Sequence, residues 1–266
     1  MSWHTLLRGG ATLHGLDSGG GPVLIFQHGL GGDEAQVAEV MPATGLRRLT
    51  LDCRAQGRSE TGDAAAFSIA NFADDVIAFA DSRGLARFAI GGISMGAAIA
   101  LRIACLHPSR VSALILARPA WLWDRAPANM RVFAELAPFL ARGDRAGFDG
   151  SPTAALLARE APDNLASLRK FFDRPDGAMR AKLIAAISAD GPGVTVDDIR
   201  TLGIPTLVLG NAIDWIHPLG HAHQLAALIP GARFAEIAPK ATDKSRHAAE
   251  FKAAVSAFLL EVEAKL

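Results

Sequence analysis

The stretch Gly92-Ile93-Ser94-Met95-Gly96 follows the apolar run Phe88-Ala89-Ile90 and precedes a second apolar segment, residues 97–106. Glycines two positions before and after Ser94 let a strand and a helix approach closely, because a Cβ at either place would clash with the facing backbone. The pattern therefore predicts a sharp strand-to-helix turn with Ser94 at its apex. We expect the serine side chain to be exposed at the carboxyl end of a sheet.

A second glycine-rich segment, His28-Gly29-Leu30-Gly31-Gly32, follows the strand-like run at 22–27. Its glycines leave the backbone free to turn its N–H groups inward. Acyl transfer passes through a tetrahedral intermediate whose oxyanion is stabilised by preorganised N–H donors. We therefore assign a candidate oxyanion hole to the backbone N–H groups of Leu30 and Met95.

A third segment, Asp52-Cys53-Arg54-Ala55-Gln56-Gly57-Arg58-Ser59, completes a set of motifs that resembles the α/β-hydrolase superfamily. Its members often carry Asp-x-Arg-Gly-x-Gly-x-Ser here, so Ala55 replaces a usual glycine and Gln56 a usual His, Phe or Tyr. We expect Asp52 and Arg54 to be structural, satisfying loop amides and carbonyls. The resemblance implies a nucleophilic serine at the turn, a histidine base and an acidic residue that orients the base.

In this superfamily the catalytic residues follow in the order Ser, Asp or Glu, His. Asp214 lies in the loop after a buried strand predicted at 205–210, where the acid of the family lies. His247 is the only histidine beyond position 223 and follows the last predicted strand, 232–237. The predicted catalytic residues are therefore Ser94, Asp214 and His247.

Two features of this assignment depart from the common pattern. His247 lies ten residues after Ile237, has no preceding glycine and directly precedes a helix predicted at 248–266. A helix-capping histidine on the surface is the structural alternative for His247. Asp124, which follows a strand predicted at 113–117, is the alternative acid.

The order of elements predicts an α/β fold with a doubly wound, mostly parallel sheet. Short apolar runs alternate with helical periods such as 69–82 as far as residue 117. From Trp121 to about residue 199 the pattern is helical only, and alternation resumes at the strand near 206. We predict an α/β-hydrolase core, residues 1–120 and 200–266, with a helical cap inserted at 121–199.

The cap is expected to select the substrate, because the same catalytic residues serve many reactions. Its aromatic side chains favour a small, largely apolar substrate. Arg118 either binds a substrate carboxylate or forms a salt bridge. The candidate substrate-binding residues are Trp121, Trp123, Arg118, Phe133 and His217.

Composition excludes several other classes of function. Lys plus Arg equals Asp plus Glu at 27 each, so no global charge attracts nucleic acid or an anionic membrane. The two cysteines fit a reducing compartment, and neither a metal site nor a cofactor site is indicated. No signal-peptide pattern opens the chain and no apolar run approaches ~20 residues. We expect a cytoplasmic protein with a small-molecule partner and no membrane insertion; a homo-oligomer stays open.

The predicted reaction is hydrolysis of an ester, thioester or similar acyl bond through an acyl-enzyme. Dehalogenases and epoxide hydrolases of this superfamily use an aspartate where Ser94 stands, and the chain has no tyrosine to protonate an epoxide. Three alternatives remain: a carbon–carbon bond hydrolase of the diketone type, whose Ser-Met-Gly turn matches Ser94-Met95-Gly96; an acyltransferase or perhydrolase; and a ligand-binding homologue without catalysis.

Overall fold

The computed structural model describes residues 1–42 and 45–264, and its centre is an eight-stranded sheet. The strands are β1 (Ser2–Arg8), β2 (Ala11–Gly19), β3 (Val23–Gln27), β4 (Arg47–Leu51), β5 (Phe88–Ile93), β6 (Val111–Ala117), β7 (Thr206–Gly210) and β8 (Arg233–Glu236). Their spatial order is β1-β2-β4-β3-β5-β6-β7-β8. The β1–β2 and β2–β4 pairs are antiparallel, and the pairs from β4 to β8 are parallel. The predicted fold class is confirmed.

Helices cover both faces of the sheet. They are α1 (Glu34–Val40), α2 (Ile69–Ser82), α3 (Met95–Leu106), α4 (Arg131–Arg142), α5 (Arg145–Asp149), α6 (Pro152–Glu160), α7 (Pro162–Arg169), α8 (Gly177–Ser188), α9 (Val196–Arg200), α10 (Leu219–Leu228) and α11 (Lys244–Glu263). Helix α2 has the predicted bounds. Its start is fixed by Ser68, whose side chain accepts the backbone N–H of Asn71 at 3.1 Å. Within the described residues, no helix is both long and apolar enough to cross a membrane.

The terminal helix begins earlier than predicted. Asp243 caps α11 by accepting the backbone N–H of Arg246 at 2.8 Å, so the helix starts at Lys244. His247 therefore lies inside the first turns of α11 and does not precede it. Residues 265–266 of the predicted helix lie outside the described part of the chain.

Two apolar clusters fill the space between the sheet and the helices. One packs α1 and α11 against one face, with the rings of Phe26 and Phe251 in edge contact at 6.2 Å. The other joins α2 and α3 on the opposite face to the helices between β6 and β7. Because that cluster is continuous, the division of the chain into a core and a cap at 121–199 stays a prediction.

The third sequence motif has the structural role expected of it. The buried Arg54 guanidinium donates from Nε and Nη2 to the carboxylate of Asp75 at 2.7 and 3.0 Å. Asp52 accepts the backbone N–H groups of Glu34 at 3.0 Å and Arg58 at 2.9 Å. The pair with Asp75 ties the loop after β4 to α2, and the bond from Glu34 ties it to the start of α1.

Candidate active site

Ser94 lies at the apex of the turn between β5 and α3, as the glycine spacing predicts. Its φ of 57° and ψ of −112° are strained for a residue with a side chain, and its N–H donates to the carbonyl of Ala117 at 3.0 Å. A Cβ on Gly92 would lie 2.3 Å from the carbonyl carbon of Gly96. A Cβ on Gly96 would lie 2.3 Å from the carbonyl oxygen of Gln27. Both glycines are therefore required for this turn.

The loop after β3 leaves one backbone donor free beside the serine. The N–H of Gly29 donates to Oε1 of Gln36 at 2.7 Å, and the N–H of Gly31 donates to Oε1 of Gln56 at 2.6 Å. The intervening N–H of Leu30 has no acceptor among the described residues. The unusual Gln56 thus fixes the residue next to the predicted donor.

The ring of His28 fixes this loop through two hydrogen bonds. Its Nδ1 donates to the carbonyl of Gly29 at 2.8 Å, and its Nε2 accepts the backbone N–H of Cys53 at 3.0 Å. Burial lowers the pKa of His28, which agrees with a neutral ring that donates at one nitrogen and accepts at the other. A Cβ on Gly29 would lie 3.5 Å from Cβ of Ser94, so the supported loop adjoins the serine.

Each of three neighbouring strands is followed by a residue with a strained backbone. Ser94 after β5, Arg118 after β6 and Ile213 after β7 have φ values of 57°, 47° and 57°, in the left-handed region that residues with a side chain rarely adopt. The strands are adjacent in the sheet, so the three residues lie at one edge. Strain of this kind is concentrated at functional sites.

The carboxylate of Asp214 is the most heavily hydrogen-bonded group at this edge. Oδ2 accepts Nε and Nη2 of Arg118 at 2.9 and 2.6 Å. Oδ1 accepts Nδ2 of Asn164 at 3.0 Å, and the backbone N–H and Nδ1 of His217 at 3.2 and 2.9 Å. Burial alone would raise the pKa of Asp214, but the charges of His217 and Arg118 and their hydrogen bonds hold it below its usual value.

His247 has different partners. Its Nδ1 donates to the carbonyl of Ala238 at 2.8 Å, and the side chain is buried at the start of α11. Burial lowers the pKa of His247, the Ala238 carbonyl opposes this, and the positive charges of Arg118 and Lys240 add to it. In the described part of the chain His247 makes no hydrogen bond to Asp214 or Ser94. The structure thus brings Asp214 together with His217, and it does not pair it with His247.

A cavity of about 540 Å³ lies over Ser94. Its walls come from the loop after β3, from α7 and the turn that follows it, and from the loop after β7. Six apolar side chains line it: Leu30, Ile93, Phe133, Leu168, Phe171 and Ile216. Nine ionisable side chains line it as well: Asp33, Glu39, Arg118, Asp163, Lys170, Asp173, Arg174, His217 and Lys240. This lining is more polar than the sequence suggested.

Three of the five predicted substrate-binding residues line the cavity, namely Arg118, Phe133 and His217. Trp121 does not, because its ring is buried in the main apolar cluster and its Nε1 donates to the carbonyl of Asp190 at 2.9 Å. Trp123 is half-buried and packs against the same cluster. For both tryptophans, packing takes the place of the expected contact with substrate.

Two residues that the sequence did not single out belong to this site. Asn164 of α7 is buried and, besides holding Asp214, accepts the backbone N–H groups of Trp215 at 2.7 Å and Ile216 at 3.0 Å. Lys240 lines the cavity, and burial lowers its pKa. Neither has a motif around it. Asp124, the alternative acid, is exposed and lies outside this cavity.

The fold and these motifs agree with the comparison to known families. A family model described as the alpha/beta hydrolase fold matches residues 22–242. The chain belongs to the α/β-hydrolase fold family. The resemblance drawn from the three sequence motifs is thereby confirmed.

Curated relatives of this α/β-hydrolase are named as hydrolases. The chain is 29% identical over 238 residues to a protein of Caulobacter sp. (strain K31) called "Putative carbamate hydrolase RutD", with 85% of each chain covered. It is 30% identical over 232 residues to a protein of the same name from Klebsiella pneumoniae (strain ATCC 700721 / MGH 78578), covering 82% of this chain and 83% of the relative. These relatives support a hydrolase activity.

Solved structures of the family share the fold along nearly the whole chain. A hydrolase from Pseudomonas aeruginosa PA01 superposes with a TM-score of 0.73 at 24% identity, covering 97% of this chain and 98% of the other. The enol-lactonase from Burkholderia xenovorans LB400 has a TM-score of 0.69 at 23% identity, with 98% of both chains covered. At these identities the likeness concerns the fold alone.

Proposed function

We propose that this chain is a serine hydrolase that cleaves an ester, thioester or related acyl bond, such as that of a carbamate, through an acyl-enzyme. The observation that carries the proposal is the position of Ser94. It stands at the apex of the strained turn, borders the cavity and adjoins Gly29, the residue before the free backbone N–H of Leu30. A nucleophile beside preorganised donors is the arrangement that acyl transfer needs.

The reaction follows from these groups. A neutral histidine takes the proton of the Ser94 hydroxyl while Oγ attacks the substrate carbonyl. The N–H groups of Leu30 and Met95 bind the resulting oxyanion, each lowering the barrier by about 3 kcal/mol. The leaving group then takes the proton from the imidazolium, and water repeats the sequence on the acyl-enzyme. The sequence assigns the base to His247 and the orienting acid to Asp214; His217, which shares a hydrogen bond with Asp214, is the second candidate base.

We propose a small polar substrate instead of the largely apolar one expected from the sequence. Charged side chains border the cavity on several sides, and among the described residues Lys240 makes no hydrogen bond or salt bridge. A half-buried ammonium without a hydrogen-bond acceptor favours an acidic or carbonyl-rich group on the substrate. Phe133 and Phe171, whose rings meet edge-on at 6.0 Å, supply an apolar side to the cavity.

A ligand-binding protein without turnover is the second candidate. The observation in its favour is the salt bridge between Arg118 and Asp214, because a carboxylate so fully paired has no free oxygen for a further histidine. The two functions differ in whether Ser94 is reactive.

Labelling with a fluorophosphonate, followed by mass mapping of the modified peptide, separates these functions. Ser94→Ala is the test variant, and Ser167→Ala, which removes another hydroxyl from the same cavity, is its matched control. We expect Ser94 to be modified in the wild type and in Ser167→Ala. Hydrolysis of aryl acetates, aryl carbamates and acyl thioesters should be lost in Ser94→Ala alone. An unlabelled wild type that binds small carboxylates without turnover would replace the hydrolase by the binding protein.

A further inference from the structure

We propose that the ammonium group of Lys240 binds a carboxylate of the substrate, and that the enzyme therefore prefers anionic acyl substrates to neutral ones of the same shape. The inference rests on the proposed serine hydrolysis and narrows its substrate class from small polar molecules to carboxylates. The observation that carries it is a half-buried lysine on the wall of the Ser94 cavity that, within the described residues, makes no hydrogen bond or salt bridge.

The loop between β8 and α11 brings Lys240 to the cavity. Among the described residues of this loop, Lys240 alone lines it. The carbonyl of Ala238 accepts a hydrogen bond from Nδ1 of His247 at 2.8 Å. The carbonyl of Pro239 accepts one from the backbone N–H of Asp243 at 3.1 Å. Because the backbone is fixed on both sides of the lysine, less conformational entropy is lost when its side chain binds a ligand.

The other Arg and Lys side chains of the cavity have partners or are exposed to water. Arg118 forms a salt bridge with Asp214, and its Nη2 lies 2.6 Å from Oδ2. Nη2 of Arg174 lies 3.4 Å from Oδ2 of Asp33, and Lys170 is exposed. In the described part of the chain, the lysine of the β8–α11 loop is therefore the one Arg or Lys at the cavity that is partly buried and makes no salt bridge.

The charged neighbours of Lys240 do not take the place of a substrate anion. Glu39 is paired with Nζ of Lys244 at 3.3 Å. Asp163, at the start of α7, lines the same cavity, yet within the described residues its carboxylate makes no salt bridge to Lys240. Burial lowers the pKa of Lys240, and the charge of Arg118 adds to this shift. Asp163 and Glu39 oppose it and so favour the charged form. The ammonium has thus lost part of its water shell without gaining an acceptor, and a carboxylate supplies one.

Lys240 lies on the same side of the cavity as the nucleophile. Lys240 and Ile93, the residue before Ser94, also line a second pocket of about 20 Å³. A space of this size holds about one water molecule, so the groups around it lie close together. A carboxylate on Lys240 and a reactive carbonyl at Ser94 therefore belong to one short molecule and not to the two ends of a long acyl chain.

The test compares pairs of substrates that have nearly the same shape and differ in charge. Para-acetoxybenzoate and para-acetoxybenzamide differ in the leaving group, and monomethyl succinate and methyl succinamate differ in the acyl group. The measured quantity is the ratio of kcat/KM for the carboxylate to kcat/KM for the amide. For at least one pair we expect the wild type to prefer the carboxylate by ~10-fold or more, because the ammonium forms a charge-assisted hydrogen bond with that member only.

Two lysine variants show which side chain causes the preference. Lys240→Met removes the charge and keeps a side chain of similar length. Lys244→Met is its matched control, because it makes the same change in net charge at an exposed lysine of α11. Lys240→Met should reduce the preference at least ~10-fold, chiefly through a higher KM for the carboxylate. Lys244→Met should change it less than about twofold. Loss of folded protein lowers both rates of a pair equally, so it leaves this ratio unchanged.

Binding without turnover separates this inference from the proposed hydrolysis. Calorimetric titration of Ser94→Ala with para-acetoxybenzoate should show binding that becomes at least ~10-fold weaker when Lys240→Met is added. A wild type that prefers the carboxylate in neither pair, or a Lys240→Met variant that keeps the preference, would overturn the inference. Binding that depends on Lys240 in a protein whose Ser94 is not labelled by fluorophosphonate would overturn the hydrolysis and leave the carboxylate site in place.

Discussion

The charge of Arg118 acts on the candidate acid and on both candidate bases of the site. It lowers the pKa of Asp214 and, in addition to burial, the pKa values of both candidate bases, His217 and His247. A base works in its neutral form, so activity is lost as pH falls through its pKa. Arg118→Gln removes the positive charge and should raise the pKa of whichever of the two histidines is the base. We therefore expect the acidic limb of the kcat/KM profile to move to higher pH, with a rate at pH 5.5 about fivefold lower relative to pH 8 than in the wild type.

The control for this measurement is Arg159→Gln, which removes an exposed arginine of α6 that pairs with its neighbour Glu160. Its acidic limb should match that of the wild type. An Arg118→Gln enzyme whose acidic limb stays in place, or moves to lower pH, would show that Arg118 does not act on the base.

Ala55 occupies a backbone position that favours glycine. Its φ is 59°, and its N–H donates to the carbonyl of Glu60 at 3.1 Å, so the loop cannot relax without losing this bond. A Cβ in the left-handed region costs about 1–2 kcal/mol, more than the extra entropy glycine loses on folding. Ala55→Gly should therefore raise the free energy of unfolding by about 0.5–1 kcal/mol in urea titrations.

Ala253→Gly is the control, and we expect it to lower the free energy of unfolding. Ala253 is exposed within α11, where glycine is less favourable than alanine by about 1 kcal/mol. If both substitutions lower the free energy of unfolding, Ala55 is not strained. The replacement of the family's usual glycine by Ala55 is thus a cost in backbone conformation.

Among the helices, α7 connects the helical insertion to the loop of Asp214. Asn164 holds the carboxylate with its amide nitrogen and two backbone N–H groups with its amide oxygen. Asn164→Ala leaves the backbone N–H groups of Trp215 and Ile216 without an acceptor and removes one of the bonds to Asp214, at a cost of about 2–3 kcal/mol in unfolding free energy. Because Asp214 then loses one of its fixing contacts, kcat should fall about tenfold with a smaller change in KM.

Asn71→Ala is the matched control for this substitution. Asn71 lies exposed near the start of α2, and its side chain makes one bond, to the carbonyl of Ala66 at 3.1 Å. It should change the free energy of unfolding by less than about 1 kcal/mol and leave kcat unchanged. Equal effects of the two substitutions would mean that the hydrogen bonds of Asn164 contribute no more than the single bond of an exposed asparagine.

The elements were largely predictable from the sequence, whereas the partners of the site residues were not. Short apolar runs between glycines correspond to β3 and β7, and the period of 69–82 corresponds to α2, because burial sets these patterns directly. The turn at Ser94 was predictable because only glycine fits beside it. The pairing of Asp214 with Arg118, Asn164 and His217 joins three segments far apart in the chain, and no local pattern encodes such a meeting.

At the scale of the whole molecule, the helices between β6 and β7 share one apolar core with the sheet and with α2 and α3. Leu136 of α4 and Ile184 of α8 belong to the same buried cluster as Phe72 of α2. The junction is also tied by Asp190, which accepts the N–H of Ile69 at 2.9 Å through its carboxylate and the indole of Trp121 through its carbonyl. An insertion held in this way has no separate core with which to fold alone.

We therefore expect the insertion and the sheet to unfold in one cooperative transition. Replacing Trp3, Trp123 and Trp215 by Phe leaves Trp121, which is buried at the junction, as the only indole. Its fluorescence reports the insertion, while far-ultraviolet circular dichroism reports the whole chain, and the two urea curves should share one midpoint. A fluorescence midpoint clearly below that of the dichroism would mean that the helices over Ser94 separate from an intact sheet. The cavity would then open by local unfolding, and labelling of Ser94 would quicken at urea concentrations that leave the sheet folded.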